Sequence, residues 1–388
     1  MPTQQTDVVG DPFGIHYTDS GLTWRIAKNV SVGGTVAGVA GIVADSTLVN
    51  KGTITGGGAA VAFEPAVAGD FVIRNKKSGH IADSFAVIVS GFEGKVHLDN
   101  KGTLSGANAA FQVSGSGKVT VNNTGAITAE LSGMNIQFAT ASGSVQIDNA
   151  GTIAGGQTGI HTFSAKGVRF AVHNEKGGLI SGPGDAAVAV SERLILKNDG
   201  KIAGDVYGGM YDDKLVNHGK IAGDVFLGEG RDKASVTAKI DGNLFLGAGD
   251  DKLVLKGKGK VTGLIDAGLG NDKVVLGKKA DSFLFDSSLD AATNVTAFKH
   301  FKSGKDKLFL NEEIFTALAP GKVAPSAFHK GAAAHDADDR IIYDKKSGAL
   351  YYDPDGTGAA AQVEFAHFDK GTKLKASDFT VGDYSFVA

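Results

Sequence analysis

The sequence predicts an all-β protein built as a right-handed parallel β-helix. Three observations lead to this class: a motif that recurs about every 25 residues, an apolar–polar alternation beside each copy, and a high glycine content. The 388 residues include 56 glycines and are 42% hydrophobic, and the glycines show no Gly-X-Y period. This composition fits many tight turns between short strands and excludes both collagen and wholesale disorder.

The recurring motif has the form Asn-x-Gly-x-Ile-x-Gly, as in "NKGTITG" at the first copy. Asparagine tolerates the left-handed corner of a tight turn, and stacked amides hydrogen-bond along a solenoid axis. We therefore interpret these residues as a structural ladder rather than as a row that binds a ligand. The ladder asparagines are spaced by 25, 25, 23, 26, 25, 24 and 19 residues and comprise Asn50, Asn75, Asn100, Asn123, Asn149, Asn174, Asn198 and Asn217.

Apolar residues mark three strands in each coil. The four residues before an Asn read "VHLD" or "VQID", with apolar first and third positions, which is the period of a strand with one buried face. A second apolar position follows each Asn, as at Ile54 and Leu104, and a third cluster follows that one, as in "AAVAF" at 59–63. Coils of this kind bury their inward residues only by stacking on their neighbours.

Outward side chains are the candidates for ligand binding, because strands about 4.8 Å apart arrange equivalent residues in columns. One interpretation is a basic stripe that holds an acidic polysaccharide. The alternative is a solvated face that discourages edge pairing. The members of the stripe are Lys95, Lys118, Arg169, His173, Arg193 and Lys197.

Catalytic candidates on this surface are weak. Abstraction of a C5 proton from a uronate needs carboxylates that neutralise the sugar acid or bind Ca²⁺, together with a base. Asp99 and Asp148, two coils apart on one face, with Arg169 or His173 nearby, are the best candidates for that chemistry. The chain has no H-E-x-x-H motif and no cysteine, so zinc-protease and thiol mechanisms are excluded.

Beyond residue 204 the repeat shortens and its chemistry changes. Segments that begin "GDVYGG", "GDVFLG", "GNLFLG" and "GLIDAG" start 19, 19 and 21 residues apart. Glycines reach positive φ, which lets a loop curl with its carbonyls inward, and each loop ends in an Asp. Carbonyl and carboxylate oxygens together suit Ca²⁺. The predicted metal positions are Asp213, Gly228, Gly230, Asp232, Gly247, Gly249, Asp251, Gly268, Gly270 and Asp272.

One motif per coil predicts about three calcium ions in a single column between four loops. Two loops depart from the pattern, since Tyr211 replaces a glycine in the first and Arg231 precedes the Asp of the second. Asp281 looks like a terminal half-motif without glycines. Asp353 and Asp355 in "DPDGTG" either bind a further ion or form a plain turn.

The Gly-x-Gly-x-Asp loops resemble the nonapeptide repeats of RTX proteins, the calcium-binding β-roll family, although those repeats run in tandem. Residues 281–310, "DSFLFDSSLDAATNVTAFKHFKSGKDKLFL", and 338–368, "DDRIIYDKKSGALYYDPDGTGAAAQVEFAHF", resemble the C-terminal domain of serralysin-type metalloproteases. That resemblance implies an uncleaved export signal read by a type I secretion ABC transporter complex of a Gram-negative bacterium. The final "TVGDYSFVA" extends past the usual end of the family. The Asn-containing coils resemble repeats of bacterial adhesins.

We expect four regions: an N-terminal cap (1–23), a parallel β-helix (24–203), an RTX-like calcium β-roll (204–285) and a serralysin-type C-terminal β domain (286–388). The N-terminus lacks a Sec signal pattern, and no apolar stretch approaches the length of a membrane span. A net charge of −3 gives the chain no overall positive potential that would attract nucleic acid.

Two functions remain open at this stage. The first is a secreted, calcium-stabilised adhesin, biofilm-matrix or surface-associated structural protein. The second is a calcium-dependent polysaccharide lyase or epimerase, since parallel β-helices often carry such enzymes. We favour the non-enzymatic function, because the chain offers only weak catalytic candidates.

Overall fold

The computed structural model describes residues 3–4, 6–41, 45–64, 68–165 and 167–384. The chain is all-β, with 54% strand and 2% helix, and forms a parallel β-solenoid of about 12 turns. This confirms the predicted fold class. Two compact units are present: unit 1 comprises Met1–Met210 and His218–Gly223, and unit 2 comprises Tyr211–Asn217 and Asp224–Ala388.

In unit 1 the strands pair in parallel with their equivalents on neighbouring coils and form three columns. In the first column, the strands from β7 onward end at ladder asparagines. This column contains β1 (Thr3–Gln4), β4 (Thr23–Ile26), β7 (Ser46–Asn50), β10 (Phe71–Asn75), β12 (Lys95–Asn100), β18 (Arg169–Asn174) and β21 (Arg193–Asn198). The second contains β2 (Val8–Gly10), β5 (Ser31–Gly34), β8 (Thr53–Thr55), β14 (Ala126–Ala129), β16 (Thr152–Gly155), β19 (Leu179–Ser181), β22 (Lys201–Ala203) and β25 (Lys220–Ala222).

The third column contains β3 (Phe13–Tyr17), β6 (Ala37–Gly41), β9 (Ala59–Phe63), β17 (Thr158–Ser164), β20 (Ala186–Ala189) and β23 (Val206–Tyr207). Three longer strands turn a corner and contribute to more than one column, namely β11 (His80–Phe92), β13 (Thr103–Asn123) and β15 (Ser132–Asn149). Three strands per coil is therefore the rule in this unit.

The core of unit 1 is a stack of inward side chains from equivalent positions. The second apolar position of the repeat forms one such row, and its members are fully buried: Ile54, Ile81, Leu104, Ile127, Ile153, Ile180 and Ile202. Along β10 and β12, buried and half-buried residues alternate, as the sequence pattern predicted. Each residue in the row is in register with its equivalents on the neighbouring coils, so its burial requires those coils.

The predicted asparagine ladder is confirmed, but the local reason given for it was wrong. The Nδ2 of each Asn donates to the Oδ1 of the next, from Asn50 to Asn75 at 3.0 Å through to Asn174 and Asn198 at 2.9 Å. None of the ladder residues has positive φ; each ends a strand with its amide buried. The amides are retained because each one both donates and accepts inside the stack.

Unit 2 has shorter coils. One parallel column contains β24 (Lys214–Asn217), β27 (Lys233–Val236), β30 (Lys252–Leu255), β33 (Lys273–Val275), β35 (Thr296–Lys299) and β41 (Val363–His367). Another contains β26 (Val225–Phe226), β29 (Leu244–Phe245), β32 (Ile265–Asp266), β34 (Ser282–Phe285), β36 (Lys307–Asn311) and β42 (Phe379–Gly382). A short pair is formed by β28 (Lys239–Ile240) and β31 (Lys260–Val261).

The last part of unit 2 adds antiparallel pairing. The predicted hairpin is present, with β39 (Ile341–Tyr343) antiparallel to β40 (Ala349–Tyr352), which pairs in turn with β41. The remaining elements are β37 (Gly321–Lys322), β38 (Phe328–His329) and the 3₁₀ turns η1 (Pro325–Ala327) and η2 (Ala376–Asp378). Aromatic side chains fill this core, including a Phe298–Phe368 stack at 5.0 Å.

Candidate functional site

Aspartates from successive coils of unit 2 form a buried column. The strands that follow them are in register, with Lys214, Lys233, Lys252 and Lys273 side by side. The residue just before each lysine is therefore aligned as well. These aligned residues are the predicted ligands Asp213, Asp232, Asp251 and Asp272, and each is 1–2% exposed.

Asp232, Asp251 and Asp272 each accept a hydrogen bond from the backbone of the preceding coil through Oδ1. The N–H of Asp232 donates to Oδ1 of Asp251 at 2.7 Å, and the N–H of Asp251 donates to Oδ1 of Asp272 at 2.9 Å. Oδ2 of Asp232, Asp251 and Asp272 is buried and has no hydrogen-bond partner among the residues that the structure describes. Among the described residues, no lysine or arginine forms a salt bridge with these three carboxylates. A buried carboxylate oxygen without a partner is costly, so the column needs a cation or a proton.

The electrostatics of the column agree with this requirement. Burial raises the pKa of Asp232 to about 6, of Asp251 to about 8 and of Asp272 to about 7. Neighbouring carboxylates add to the effect at Asp251, where Asp232 and Asp272 disfavour a further negative charge. A divalent cation placed among these oxygens would stabilise the ionised carboxylates and so lower their pKa values, against both burial and mutual repulsion.

Two features require glycine in these loops, namely positive φ and the close approach of the preceding coil. Gly247 and Gly249 have φ of +105° and +136°, which favours glycine. A Cβ at Gly249 would also lie 1.7 Å from the carbonyl oxygen of Gly230 on the preceding coil. The carbonyl of Gly228 accepts a hydrogen bond from Ala248 N at 2.9 Å, which leaves one lone pair of that oxygen free.

The donor set of the column therefore fits Ca²⁺. It offers partnerless carboxylate oxygens and backbone carbonyls, all of them hard oxygen ligands, and no nitrogen or sulfur ligand. Asp213 is equally buried, and its N–H donates to Oδ1 of Asp232 at 2.7 Å, although Tyr211 interrupts its loop.

Sequence reasoning identified Asp281 but missed its partner Asp306. Both carboxylate oxygens of Asp281 are buried without a partner, and burial raises its pKa to about 7. Its N–H donates to Oδ1 of Asp306 at 3.2 Å, because β34 and β36 are in register. The signal was present, since Asp306 begins "DKLFL" just as Asp251 begins "DKLVL".

The lysines beside the Asp column were also missed. Lys214, Lys233, Lys252 and Lys273 are exposed and in register. None of them forms a salt bridge with an acid in the part of the chain that the structure describes. Four like charges at strand spacing repel one another and attract a linear polyanion.

On unit 1 the structure separates the members of the predicted basic stripe. Lys95, Lys118, Arg169 and Arg193 occupy one outward column. His173 and Lys197 lie in a different one, together with Asp99 and Asp148. Arg169 and His173 are four residue steps apart along β18, about 13 Å, so these two do not form one site.

Of the four catalytic candidates, the structure brings only Asp148 and His173 together. Oδ1 of Asp148 lies 3.7 Å from Nδ1 of His173. Asp99 lies three coils from His173, because Asn122 and Asp148 occupy the coils between them. Its Oδ2 lies 3.9 Å from Nζ of Lys76. A uronate base with a nearby arginine is therefore not assembled by these residues.

The turn at Asp353 has the hydrogen bonds of a plain Asx turn. Its Oδ1 accepts the N–H of Asp355 at 3.2 Å and that of Gly356 at 2.9 Å. Oδ1 of Asp355 is buried without a partner. The side chain of Asp353 thus fixes the turn, and an ion at Asp355 stays a prediction.

No helix among the described residues is both long and apolar enough to cross a membrane. No protein-family model matches the chain, and a search of curated proteins finds no match.

Proposed function

We propose that this chain is a secreted calcium-binding β-solenoid of the RTX type that acts as an extracellular adhesin, biofilm-matrix or surface-associated structural protein. The observation that carries the proposal is the row of buried, partnerless Oδ2 atoms of Asp232, Asp251 and Asp272. Calcium would neutralise these carboxylates and link adjacent loops. One motif per coil favours about three ions in one column.

The export part of the proposal is supported by the serralysin-like tail. A type I secretion ABC transporter complex is the proposed partner, with the signal in residues 286–388. Extracellular calcium modules bind at about 10⁻⁴–10⁻³ M. The coils that carry the Asp column would therefore stay unfolded inside the cell, and the chain could pass through the transporter. They would fold when the chain reaches calcium outside the cell.

An acidic polysaccharide or an anionic cell surface is the proposed ligand. The in-register lysines Lys214, Lys233, Lys252 and Lys273 support this choice, because their spacing along the coils suits a polymer with a charge on each sugar. A flat, exposed row of charges offers no enclosed site for a small molecule.

Calcium binding is tested by Asp251→Asn in the full chain. The substitution keeps the oxygen that accepts from Asp232 but removes the charge. Calorimetric titration with Ca²⁺ should give about three ions for the native protein and fewer for the variant. Asp250→Asn is the matched control, since it removes the same charge from an exposed side chain of the same loop, where Asp250 accepts from Asn271 N at 3.0 Å. Circular dichroism of the native protein that is unchanged by EGTA would contradict the proposal.

Polymer binding is tested by the double substitution Lys233→Glu/Lys252→Glu. Affinity for alginate fragments should fall about tenfold or more and should decrease with added salt. Lys256→Glu/Lys258→Glu changes the same charge on a nearby turn and should retain most of the affinity. Equal loss in both double variants would mean that net charge, and not the column, attracts the polymer.

A calcium-dependent polysaccharide lyase or epimerase is the second candidate function, favoured only by the contact of Asp148 with His173. Incubation with alginate or pectate in calcium should then give unsaturated product, measured by absorbance, or epimerised sugar, measured by NMR. Activity that disappears in Asp148→Ala would overturn the non-enzymatic proposal.

A further inference from the structure

A second group of ligating side chains lies in unit 1, on the outward face of the first strand column. Asp148 on β15 and His173 on β18 are neighbours in register, and Glu175 follows β18 directly. One ligand atom from each of the three lies within 4.8 Å of the other two. All three residues are half-buried and none belongs to the Asp column of unit 2.

The hydrogen bonds of His173 leave one ring nitrogen free for a metal. Nε2 lies 2.8 Å from Oδ2 of Asp199, and a carboxylate can only accept. We therefore assign the proton of the neutral imidazole to Nε2. Nδ1 then keeps its lone pair on the side of Asp148. A metal-ligating histidine whose other nitrogen donates to a carboxylate is the usual arrangement of such ligands.

The carboxylate behind the histidine is itself fixed in place. Asp199 accepts from Nζ of Lys197 at 2.7 Å and contacts Nδ1 of His218 at 2.8 Å. Lys197 also lies 3.1 Å from Nε2 of His173, which is the ring nitrogen away from Asp148. With its proton on Nε2, the ring does not accept a hydrogen bond from the ammonium of Lys197, which donates to Oδ2 of Asp199 at 2.7 Å instead.

Asp148 is oriented in a similar way. Nε2 of Gln146, two residues earlier on β15, lies 3.1 Å from each of its carboxylate oxygens. Together with Glu175, Asp148 gives the cluster two carboxylate ligands beside the imidazole of His173.

We propose that Asp148, His173 and Glu175 bind a transition-metal dication of the Zn²⁺ type, with Asp199 as a positioning residue. Zinc bonds of about 2.0–2.2 Å place adjacent tetrahedral ligand atoms roughly 3.3–3.5 Å apart. The 3.7 Å between Asp148 and His173 needs only a small side-chain rotation to meet that value. An imidazole ligand selects zinc or a similar metal over calcium, and the fourth tetrahedral position stays open to water.

The test is a titration of the tag-free full chain with Zn²⁺ in millimolar Ca²⁺, which saturates any calcium site and separates the two proposals. One saturable zinc equivalent is expected, and Co²⁺ in its place should give the visible absorption of a tetrahedral ion. His173→Ala and Asp148→Asn should abolish this binding. Asp199→Asn should weaken it roughly 10–100-fold, as expected for an outer carboxylate.

His161→Ala is the matched control, because His161 is a half-buried outward histidine of β17 in the same unit. It should bind zinc as the native protein does. Far-UV circular dichroism checks that each variant keeps its fold, and the isosteric Asp148→Asn guards against loss of structure in His173→Ala. The absence of a saturable site, or native affinity in folded His173→Ala, would overturn the inference, whatever the calcium titration shows.

Discussion

At the scale of residues, the two units bury polar side chains in columns of opposite chemistry. An amide carries a donor and an acceptor, so the column from Asn50 to Asn198 satisfies itself. An ionised carboxylate only accepts. A column of aspartates therefore leaves oxygens such as Oδ2 of Asp251 without a partner unless a cation or a proton is supplied. This difference explains why one column is a structural ladder and the other is a candidate metal site.

A paired surface carboxylate in unit 2 gives a prediction about pH. Asp369 is partly buried, but the N–H of His300 at 2.7 Å and Nζ of Lys299 at 2.9 Å hold its pKa below the usual value. The folded pKa is lower than the unfolded one, so its contribution to stability is present above about pH 4 and is lost as the pH falls through the folded pKa. Asp369→Asn should therefore lower the melting temperature at pH 7 and make it less sensitive to acid.

The measurement is a series of thermal melts between neutral and acidic pH with calcium held constant. Glu313→Gln, which alters an exposed carboxylate of the same unit, should leave the acid dependence as it is in the native protein. If the melting temperatures of the native protein and of Asp369→Asn fell equally with decreasing pH, this pairing would contribute nothing to the acid dependence.

At the scale of elements, the short distance between adjacent coils determines the structure of the Gly-x-Gly-x-Asp loops. Ala248 N donates to the carbonyl of Gly228, and Leu269 N donates to that of Gly247, each at 2.9 Å. These bonds draw the loops so near that no side chain fits at the stacked glycines. In the proposed calcium-bound form, the carbonyls and the aspartates of these adjacent loops would share one ion.

Gly249→Ala tests this closeness. It should destabilise unit 2 by about 2 kcal/mol or more beyond the effect of Gly257→Ala. Both residues have positive φ, but a Cβ at Gly257 meets nothing within 4 Å, so that variant reports backbone strain alone. Urea unfolding of both variants in calcium gives the comparison. Equal destabilisation would show that strain, and not the clash with Gly230, requires glycine.

At the scale of the whole molecule, each unit has its own source of stability. Unit 1 contains the self-satisfied asparagine ladder and rows of buried aliphatic residues. Unit 2 contains the Asp column, together with Asp281 and its two partnerless oxygens. Calcium should therefore affect the two units unequally.

Limited proteolysis with and without EGTA should show this inequality. We expect cleavage within 224–285 when calcium is removed, whereas 68–165 stays protected, because an open coil exposes its backbone to the protease. Mass spectrometry of the fragments locates the cuts. Uniform cleavage of both segments on removal of calcium would contradict a division of stability between the units.

The sequence by itself determined the solenoid, the ladder and the column of Asp232, Asp251 and Asp272. The reason is geometric: in an in-register stack, a constant spacing along the chain becomes direct adjacency in space. A repeat can thus be read as a set of contacts without knowing any other part of the fold. The pattern "DKL" extends this reasoning to Asp306, once β34 and β36 are seen to be in register.

Only the tertiary structure decided which atoms of those residues remain without partners, and which neighbours outside the repeat they meet. The contact of His173 with Asp199 joins strand β18 to the turn that follows Asn198 on the next coil. No period in the sequence predicts this contact. The structure likewise separated Arg169 from His173, because three residues of extended strand lie between them. Side-chain direction at a corner depends on the path of the backbone there, and that path is set by the packing of whole coils.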